Sequence, residues 1–345
     1  MASSNHRFMV GINKMAATAI DDSIRIENIF AAWEADMEIS SKDVFLSVIL
    51  PTCNRGEDLA RCLKALEPPA VETESAGPGG TGVKGDGFLY EVIVSDDGIG
   101  ADALIRTHFP WATYSQGPRR GPAANRNFGA SQANGTWLLF LDDDCVPGPG
   151  WLEAYAAGVN RFPESSVFEG KTVAPGPKLR ADHESPLNLT GGLLWSCNFG
   201  VKRQLFLQLG GFDENFPFPA MEDMDLQLRL SELGHTSIFL AEACVEHPWR
   251  PKRGTRFCIE AAKSVGYYTA KHPETRATFI KTWRIKRMIK ILFFEFPRNL
   301  LAFPDISSFR VLYLDLLTAV LFSFTLAGQR DQGRKHASSA ESSLP

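Results

Sequence analysis

Three consecutive aspartates, Asp142, Asp143 and Asp144, directly follow the apolar run 137–141. Five apolar residues without alternation predict a short strand buried on both faces, and such a strand belongs in a sheet that is covered on both sides. Three carboxylates at the end of that strand repel one another and need a positive counter-ion nearby. A divalent cation that also binds a phosphate would supply this charge. The alternative is a solvated acidic turn, since a stretch rich in proline and glycine, 146–150, follows.

Two earlier apolar runs, 45–50 and 90–94, also end in polar residues, at 52–55 and 96–97. Helical patterns separate the three runs, and alternation of strand and helix predicts a parallel sheet with crossover helices. In such sheets, ligands bind outside the carboxyl ends of the strands. Because all three polar segments fall at those ends, the sequence predicts one ligand site at this edge of an α/β sheet.

The remainder of the chain differs in pattern from this central part. Apolar residues recur at helical spacing within 21–38, which predicts an amphipathic helix outside the main fold, and the glycine-rich segment 72–87 reads as a loop. We therefore expect four regions: an N-terminal helical extension at 1–43, a catalytic domain at 44–250, a helical region at 251–330 and a disordered tail at 331–345.

Composition excludes several classes of protein. The chain has 345 residues, 44% of them hydrophobic, and a net charge of −4, so no basic field indicates binding to nucleic acid. The six cysteines form no CxxC pair, which argues against a zinc site or a disulfide framework and favours a reducing compartment. Residues 1–42 lack the basic start and apolar core of a secretory signal, so we expect a cytoplasmic protein.

A helix is predicted at about 221–233, and it begins with the acidic pair Glu222-Asp223. Carboxylates at a helix start can simply be stabilised by the helix dipole. However, Asp223 precedes Leu226 by three residues, and we expect Leu226, Leu230 and Leu233 to form the buried stripe. The spacing therefore predicts that Asp223 faces inward, toward a cleft, with Arg229 on the polar side.

The first strand is not followed by GxGxxG or by a glycine-rich phosphate loop, so a dinucleotide-binding fold and a nucleotidyltransferase are disfavoured. The chain instead resembles family 2 glycosyltransferases over about 44–250. The resemblance is carried by six blocks in order: Phe45 to Arg55, Val92 to Gly98, Ala124 to Gly129, Leu141 to Asp144, Gly210 to Glu214 and Glu222 to Arg229. It implies the GT-A fold, an α/β architecture with a mixed, mostly parallel sheet flanked by helices.

The resemblance also implies roles for individual residues. Asp223 would be the general base, beside Glu222, and Asp144, Asp142 and His247 would hold Mn²⁺ or Mg²⁺, with Asp142 and Asp144 matching the DxD motif. Where the family usually has a serine, this chain has Asp97-Gly98. The residues implied in binding the nucleotide sugar are Pro51, Thr52, Asn54, Arg55, Asp96, Arg126, Asp142, Asp143, Trp195 and Asn198. The alternative for Arg126 is a solvated helix charge, and for Trp195 a place in the core.

These expectations describe an inverting, metal-dependent glycosyltransferase that moves a sugar from a nucleoside-diphosphate donor to an acceptor hydroxyl in a cell-surface polysaccharide or glycolipid. An inactive scaffold of the same fold is the alternative from another class, although a scaffold has no need for a base. Five basic residues within 281–290 precede an aromatic segment, and 311–326 is strongly apolar but shorter than a spanning helix. This region predicts peripheral attachment to the cytoplasmic face of a membrane, and with it a sugar or lipid-linked acceptor; a helix packed on the catalytic domain is the alternative.

Overall fold

The computed structural model describes residues 44–68, 83–85, 88–283 and 285–341. The helix predicted at 21–38 lies outside these residues, as does most of the glycine-rich segment 72–87. The described chain has the expected α/β architecture, a mixed sheet flanked by helices. Its strands are β1 (Val44–Thr52), β2 (Val83–Gly85), β3 (Phe88–Asp96), β4 (Thr113–Gln116), β5 (Trp137–Leu141), β6 (Val146–Pro147), β7 (Val167–Val173), β8 (His183–Glu184), β9 (Asn198–Lys202), β10 (Ile238–Glu246) and β11 (Arg250–Pro251).

Within the described residues, nine strands form one sheet in the order β2-β3-β1-β5-β9-β7-β10-β6, with β4 also paired to β3. Strands β1, β3, β4, β5, β7 and β10 run in one direction, so the sheet is mostly parallel as expected. The antiparallel strand β9 separates β5 from β7. Strands β8 and β11 form a separate two-stranded sheet.

The helices that follow are α1 (Gly56–Ala65), α2 (Ala101–His108), α3 (Pro122–Ser131), α4 (Trp151–Arg161), α5 (Arg203–Gln208), α6 (Glu222–Glu232), α7 (Thr255–Lys271), α8 (Arg276–Trp283), α9 (Ile285–Lys290), α10 (Phe296–Ala302) and α11 (Ile306–Glu341). A π-helical turn, Ile291–Glu295, lies between α9 and α10. Helix α11 continues to Glu341 and so enters the segment 331–345, which was predicted to be a disordered tail.

Two hydrophobic cores form because the central strands are apolar on both faces. Along β5, Leu139 and Leu141 enter one core with helices α1, α2 and α4, whereas Leu138 and Phe140 enter the other with α3, α5 and α6. This alternation follows from the two-residue period of a strand. The second core centres on Phe140, whose ring lies 4.8–5.4 Å from three other phenylalanine rings, those of Phe199, Phe206 and Phe212. The covered sheet thereby fixes the carboxyl ends of β1, β3 and β5 side by side.

Candidate active site

The polar segments that follow β1, β3 and β5 meet at one edge of the sheet. Thr52 pairs with Asp96 at the end of the β1–β3 ladder, and β5 lies on the other side of β1. The Thr52 hydroxyl donates a 2.7 Å hydrogen bond to Oδ2 of Asp143, which follows β5. The shared edge predicted from the sequence is therefore present. Pro51, the residue before Thr52, is buried in β1 and lies at the base of this edge.

Asp96 ends β3 with one carboxylate oxygen satisfied and the other free. Its Oδ1 accepts a 2.7 Å hydrogen bond from the Gly98 amide, whereas the buried Oδ2 has no donor anywhere in the described chain. The neighbouring Asp97 accepts from the amides of Arg119 and Gly121 and so shapes the loop before α3. Asn54 approaches the same turn through a 3.0 Å bond from the Ile99 amide. Asp97 thus has a loop-building role, and Asp96 keeps an acceptor available.

Each of the three aspartates after β5 has a basic partner. Asp142 pairs with Arg126 at 2.6 Å, Asp143 with Arg55 at 3.1 Å, and Asp144 with Arg55 at 3.1 Å and with Arg250 at 2.6 Å. The acidic run is therefore not a solvated turn: Asp143 and Asp144 are buried. Burial raises the pKa of Asp143 to about 7, and the charges of its two neighbours add to the rise, although Arg55 and the Thr52 hydroxyl partly offset it. Repulsion between the crowded carboxylates is thus a property of the folded site.

Asp144 and His247 face each other through two atoms that both accept hydrogen bonds when the imidazole is neutral. Nδ1 of His247 lies 3.1 Å from the Pro248 carbonyl oxygen, which can only accept, so Nδ1 carries the proton. Nε2 then points at Oδ1 of Asp144, 3.5 Å away. This buried oxygen has no hydrogen-bond donor among the residues that the structure covers. A cation between the two atoms would satisfy both.

The third potential ligand here is Cys145, whose thiol lies within 4.8 Å of the Asp144 and His247 ligand atoms. A hydrogen bond to Cys197, together with burial, raises the pKa of Cys145 well above its ordinary value, which favours the thiol over the thiolate. A neutral thiol is a poor ligand for a hard cation, whereas carboxylate and imidazole suit Mn²⁺. Asp144 and His247 therefore fit a divalent cation, while Oδ1 of Asp142 is engaged by Arg126.

The acidic pair lies at the start of α6, directly after Met221, whose φ is +80°. A non-glycine residue in this region is strained, and such strain often occurs at functional sites. Glu222 is buried, and burial, followed by the charge of Asp223, raises its pKa to about 7. Asp223 accepts a 3.2 Å hydrogen bond from the Ser196 amide through Oδ2, and burial raises its pKa as well. Its Oδ1 is shielded from solvent and has no partner in the described residues.

Arg126 joins the aspartates after β5 to the acidic pair. Its guanidinium is buried, lies 2.6 Å from Asp142 and 3.9 Å from Glu222, and stands over the Phe212 ring at 5.7 Å. Burial alone would lower the pKa of Arg126, but the carboxylates of Asp142, Asp223 and Glu222 raise it. The solvated helix charge that was the alternative for this residue is therefore wrong. One arginine instead connects the two acidic groups in a single cleft.

Asn198 does not line this cleft, and its predicted place in the sugar pocket is wrong. Its Oδ1 accepts from Trp151 and Tyr155, and its Nδ2 donates to the carbonyls of Lys171 and Ala243, all at 2.9–3.0 Å. These four bonds leave no atom free for a ligand and tie β9 to β7 and β10. Trp195, by contrast, is half-buried and precedes Ser196, the residue that contacts Asp223.

Two expectations about α6 are also wrong. Leu233 is 59% exposed, because α6 ends at Glu232 before the predicted stripe is complete. Arg229 does not lie on a polar side: it pairs with the fully buried Asp225 at 2.7 Å and donates to the carbonyls of Leu209 and Gly211. Arg229 therefore turns inward, where it holds the loop before α6 in place.

The sequence reasoning missed the role of Asp225. Besides Arg229, its carboxylate binds Lys271 and His272 at 2.7 Å each, which connects α6 to the end of α7. Burial opposes ionisation, but these partners hold the pKa of Asp225 below its ordinary value. Aspartate and arginine four residues apart on a predicted helix were an available signal. Arg250 was missed too, because only the fold brings β11 next to Asp144.

This chain is similar in sequence to several glycosyltransferases. The family model described as "Glycosyl transferase family 2" matches residues 47–206. Glycosyltransferase AglE of Haloferax volcanii is 34% identical over 226 residues, which cover 60% of this chain and 68% of that protein. An uncharacterized glycosyltransferase of Haemophilus influenzae is 26% identical over 201 residues, covering 54% and 61%.

A third relative is N-acetylglucosaminyl-diphospho-decaprenol L-rhamnosyltransferase of Mycobacterium tuberculosis, which is 27% identical over 143 residues, covering 32% of this chain and 46% of that protein. The chain thus spans about half to two thirds of the length of these curated relatives.

Proposed function

The chain belongs to glycosyltransferase family 2, and from this premise we propose that it is an inverting, metal-dependent enzyme that transfers a sugar from a nucleoside diphosphate to an acceptor hydroxyl. The observation that carries the proposal is the position of Arg126, 2.6 Å from Asp142 and 3.9 Å from Glu222. Arg126 therefore lies between the aspartates after β5, which suit a metal-bound diphosphate, and the acidic pair of α6, which suits proton transfer.

The donor would lie along the carboxyl ends of β1, β3 and β5. The free Oδ2 of Asp96 is a buried acceptor suited to an N–H group of the nucleotide base. Arg55 keeps 40% of its side chain exposed and can turn from the aspartates to the diphosphate. Mn²⁺ or Mg²⁺, held by Asp144 and His247, would neutralise charge that builds up on the leaving diphosphate. Thr52 and Asn54 hold the surrounding loops in place.

Asp223 is suited to act as the general base. The Ser196 amide fixes Oδ2, so Oδ1 remains to accept the proton of the acceptor hydroxyl. As that proton leaves, the hydroxyl oxygen forms a bond to the anomeric carbon, and the bond from this carbon to the diphosphate oxygen breaks. Attack from the face opposite the leaving group inverts the configuration. Glu222, with its pKa of about 7, carries a proton for part of the time near neutral pH, which limits repulsion with Asp223.

The acceptor that we propose is a hydroxyl of a cell-surface polysaccharide or a lipid-linked sugar. The mycobacterial relative supports this class, because its name describes a lipid diphosphate that carries N-acetylglucosamine as the substrate of that protein. An inactive scaffold would bind the donor without turnover, so the two functions differ in what they predict for variants of the base.

The test begins with a panel of nucleotide sugars, screened for binding by saturation-transfer NMR with and without Mn²⁺. For the donor so identified, Asp144→Asn should lose the part of donor affinity that depends on Mn²⁺, and turnover should nearly vanish. Asp223→Asn should keep the donor Kd and lose about 100-fold or more in turnover, the scale of general-base catalysis.

Asp102→Asn on α2, a half-exposed carboxylate paired with Arg106, is the matched control and should leave both quantities unchanged. Turnover that persists in excess chelator would refute the proposal that transfer depends on a metal ion. A donor Kd that rises strongly in Asp223→Asn, with turnover at saturation intact, would refute the assignment of the base.

A further inference from the structure

Helix α11 is apolar on two opposite faces, but only one of them is covered. Its inner face packs Phe322 and Leu326 against Ala262 and Val265 of α7. The opposite face exposes large apolar side chains at spacings of three, four and seven residues, which places them on one side of the helix. We call these residues the outer stripe: Ile306 (74% exposed), Phe309 (50%), Tyr313 (55%), Val320 (36%) and Phe324 (73%).

The outer stripe continues onto the π-helical turn and α10. The ring of Phe309 contacts that of Phe296 at 5.4 Å between centroids, which joins α11 to α10. Nearby, Phe293 is 70%, Phe294 67% and Leu301 86% exposed. Soluble monomers rarely leave such a large apolar area uncovered unless it binds something. The outer stripe together with Phe293, Phe294 and Leu301 is called the apolar surface below.

Basic residues flank the apolar surface. The segment 281–303 carries six basic residues and one acid, Glu295. Among the basic residues, Lys286 and Arg298 are exposed, and 66% of the Lys290 side chain is accessible to solvent. A symmetric dimer through this surface would bring two such segments of like charge together, which opposes that occupant. An anionic lipid surface offers both an apolar layer and negative charge, and it complements both features.

We propose that the apolar surface seats the protein on the cytoplasmic face of an anionic membrane, with α11 lying in the plane of the interface. Among the described residues, one segment, Ile306–Ala327 of α11, is long and apolar enough to cross a bilayer, with a mean hydropathy of 1.7, so the helix is longer than the apolar run 311–326 that was expected to be too short. However, two ion pairs fix the helix to preceding parts of the chain: Asp315 with Lys252 at 2.9 Å and Arg310 with Asp182 at 2.6 Å. Crossing would carry these charged contacts into hydrocarbon, so the helix lies on the membrane.

The helix that would contact the membrane, α11, is linked to the cleft by ion pairs and a short stretch of chain. Lys252, which holds Asp315 of α11, lies two residues after Arg250, and Arg250 contacts Asp144 at 2.6 Å. A lipid-linked acceptor embedded in the same membrane would therefore present its sugar close to Asp144 and Asp223. This last step rests on the proposed function, whereas the membrane contact itself does not.

The experiment uses the full chain and sedimentation with vesicles of phosphatidylcholine alone or with 30% phosphatidylglycerol. Binding to the anionic vesicles should be strong at 0.1 M salt and weak at 0.5 M salt, because salt screens the basic residues. The double variant Phe293→Ser/Phe294→Ser should reduce the partition coefficient about tenfold or more, since both rings leave the interface. Lys286→Gln/Lys290→Gln should reduce it about fivefold per residue, which corresponds to about 1 kcal/mol each.

Leu207→Ser on α5 and Lys64→Gln on α1 are matched controls, because both residues are exposed and lie outside the segment. They should leave the partition coefficient unchanged. Absence of vesicle binding by the parent chain would overturn the proposal, as would equal losses in the controls. So would a phenylalanine variant that changes from dimer to monomer, because a second copy of the chain would then be the occupant. Since no donor is present, this outcome is independent of any failure of the proposed transfer reaction.

Discussion

The buried carboxyl of Glu222 makes the folded protein less stable as the pH rises. Its pKa is about 7, against an ordinary value of 4.5, so the folded state holds the proton more tightly than the unfolded state. Stability contributed by such a group is present at pH values below 4.5 and is lost as the pH rises toward 7. The difference between a pKa of 4.5 and one of about 7 corresponds to about 3 kcal/mol. Glu222→Gln removes this dependence, because glutamine does not titrate.

We expect the stability of Glu222→Gln, relative to that of the parent chain, to increase as the pH rises. At pH 5, less than about 1 kcal/mol of the loss has developed, whereas by pH 8 all of it has. The difference in unfolding free energy, variant minus parent, should therefore increase by about 2 kcal/mol between the two pH values. Any effect of the amide that does not depend on pH, such as its weaker attraction to Arg126, is the same at pH 5 and pH 8 and cancels in this comparison.

The assay is urea unfolding followed by tryptophan fluorescence at pH 5 and pH 8, without added metal. Glu232→Gln, at the exposed end of the same helix, is the control and should show no change of the difference between the two pH values. If the difference for Glu222→Gln is the same at both pH values, the carboxyl is not held protonated in the folded state, and our reading of the acidic pair is wrong.

Two further substitutions test the framework behind the cleft. Asp225→Asn should destabilise the protein by about 3 kcal/mol, because it leaves the largely buried guanidinium of Arg229 without its carboxylate, and a loss below about 1 kcal/mol in urea unfolding would contradict this. Since the pKa of Asp225 is held low, its contribution should be present above about pH 4 and be lost as the pH falls further. Asn198→Ala should cost about 2–4 kcal/mol, since Trp151 and Tyr155 lose their acceptor, yet calorimetry should show an unchanged donor Kd.

The sequence predicted those parts of the fold that depend on local pattern. The run 137–141 became β5 with the predicted bounds, because five apolar residues can be satisfied only between two cores. Strand β9 was not predicted as an antiparallel member of the sheet. Its position depends on the buried hydrogen bonds of Asn198, which are made to residues 27 to 47 positions away along the chain. No local pattern reports contacts of that kind.

The same division applies to the cleft. The positions of Asp96 and Asp142 to Asp144 followed from the rule that ligands bind at the carboxyl ends of parallel strands. The basic partners did not, because Arg126 and Arg250 come to the acids from α3 and β11, elements that only the folded chain brings together. Likewise, the inward turn of Arg229 depends on Asp225 and on two carbonyl groups of a loop, whereas helical periodicity alone placed it on the polar side.

Arg55 and Arg250 already neutralise part of the charge of the aspartates after β5. In the structure, both guanidinium groups contact Asp144, the residue that would ligate a cation. Both contact Oδ2, so a metal ion that binds the free Oδ1 without a donor lies beside two positive charges, and their repulsion reduces its affinity. A diphosphate that arrives with the metal gives the released arginines a new anion to bind. Metal and donor should therefore each tighten the binding of the other by the same factor, as thermodynamic linkage requires, and the free enzyme should stay largely metal-free until a donor is present.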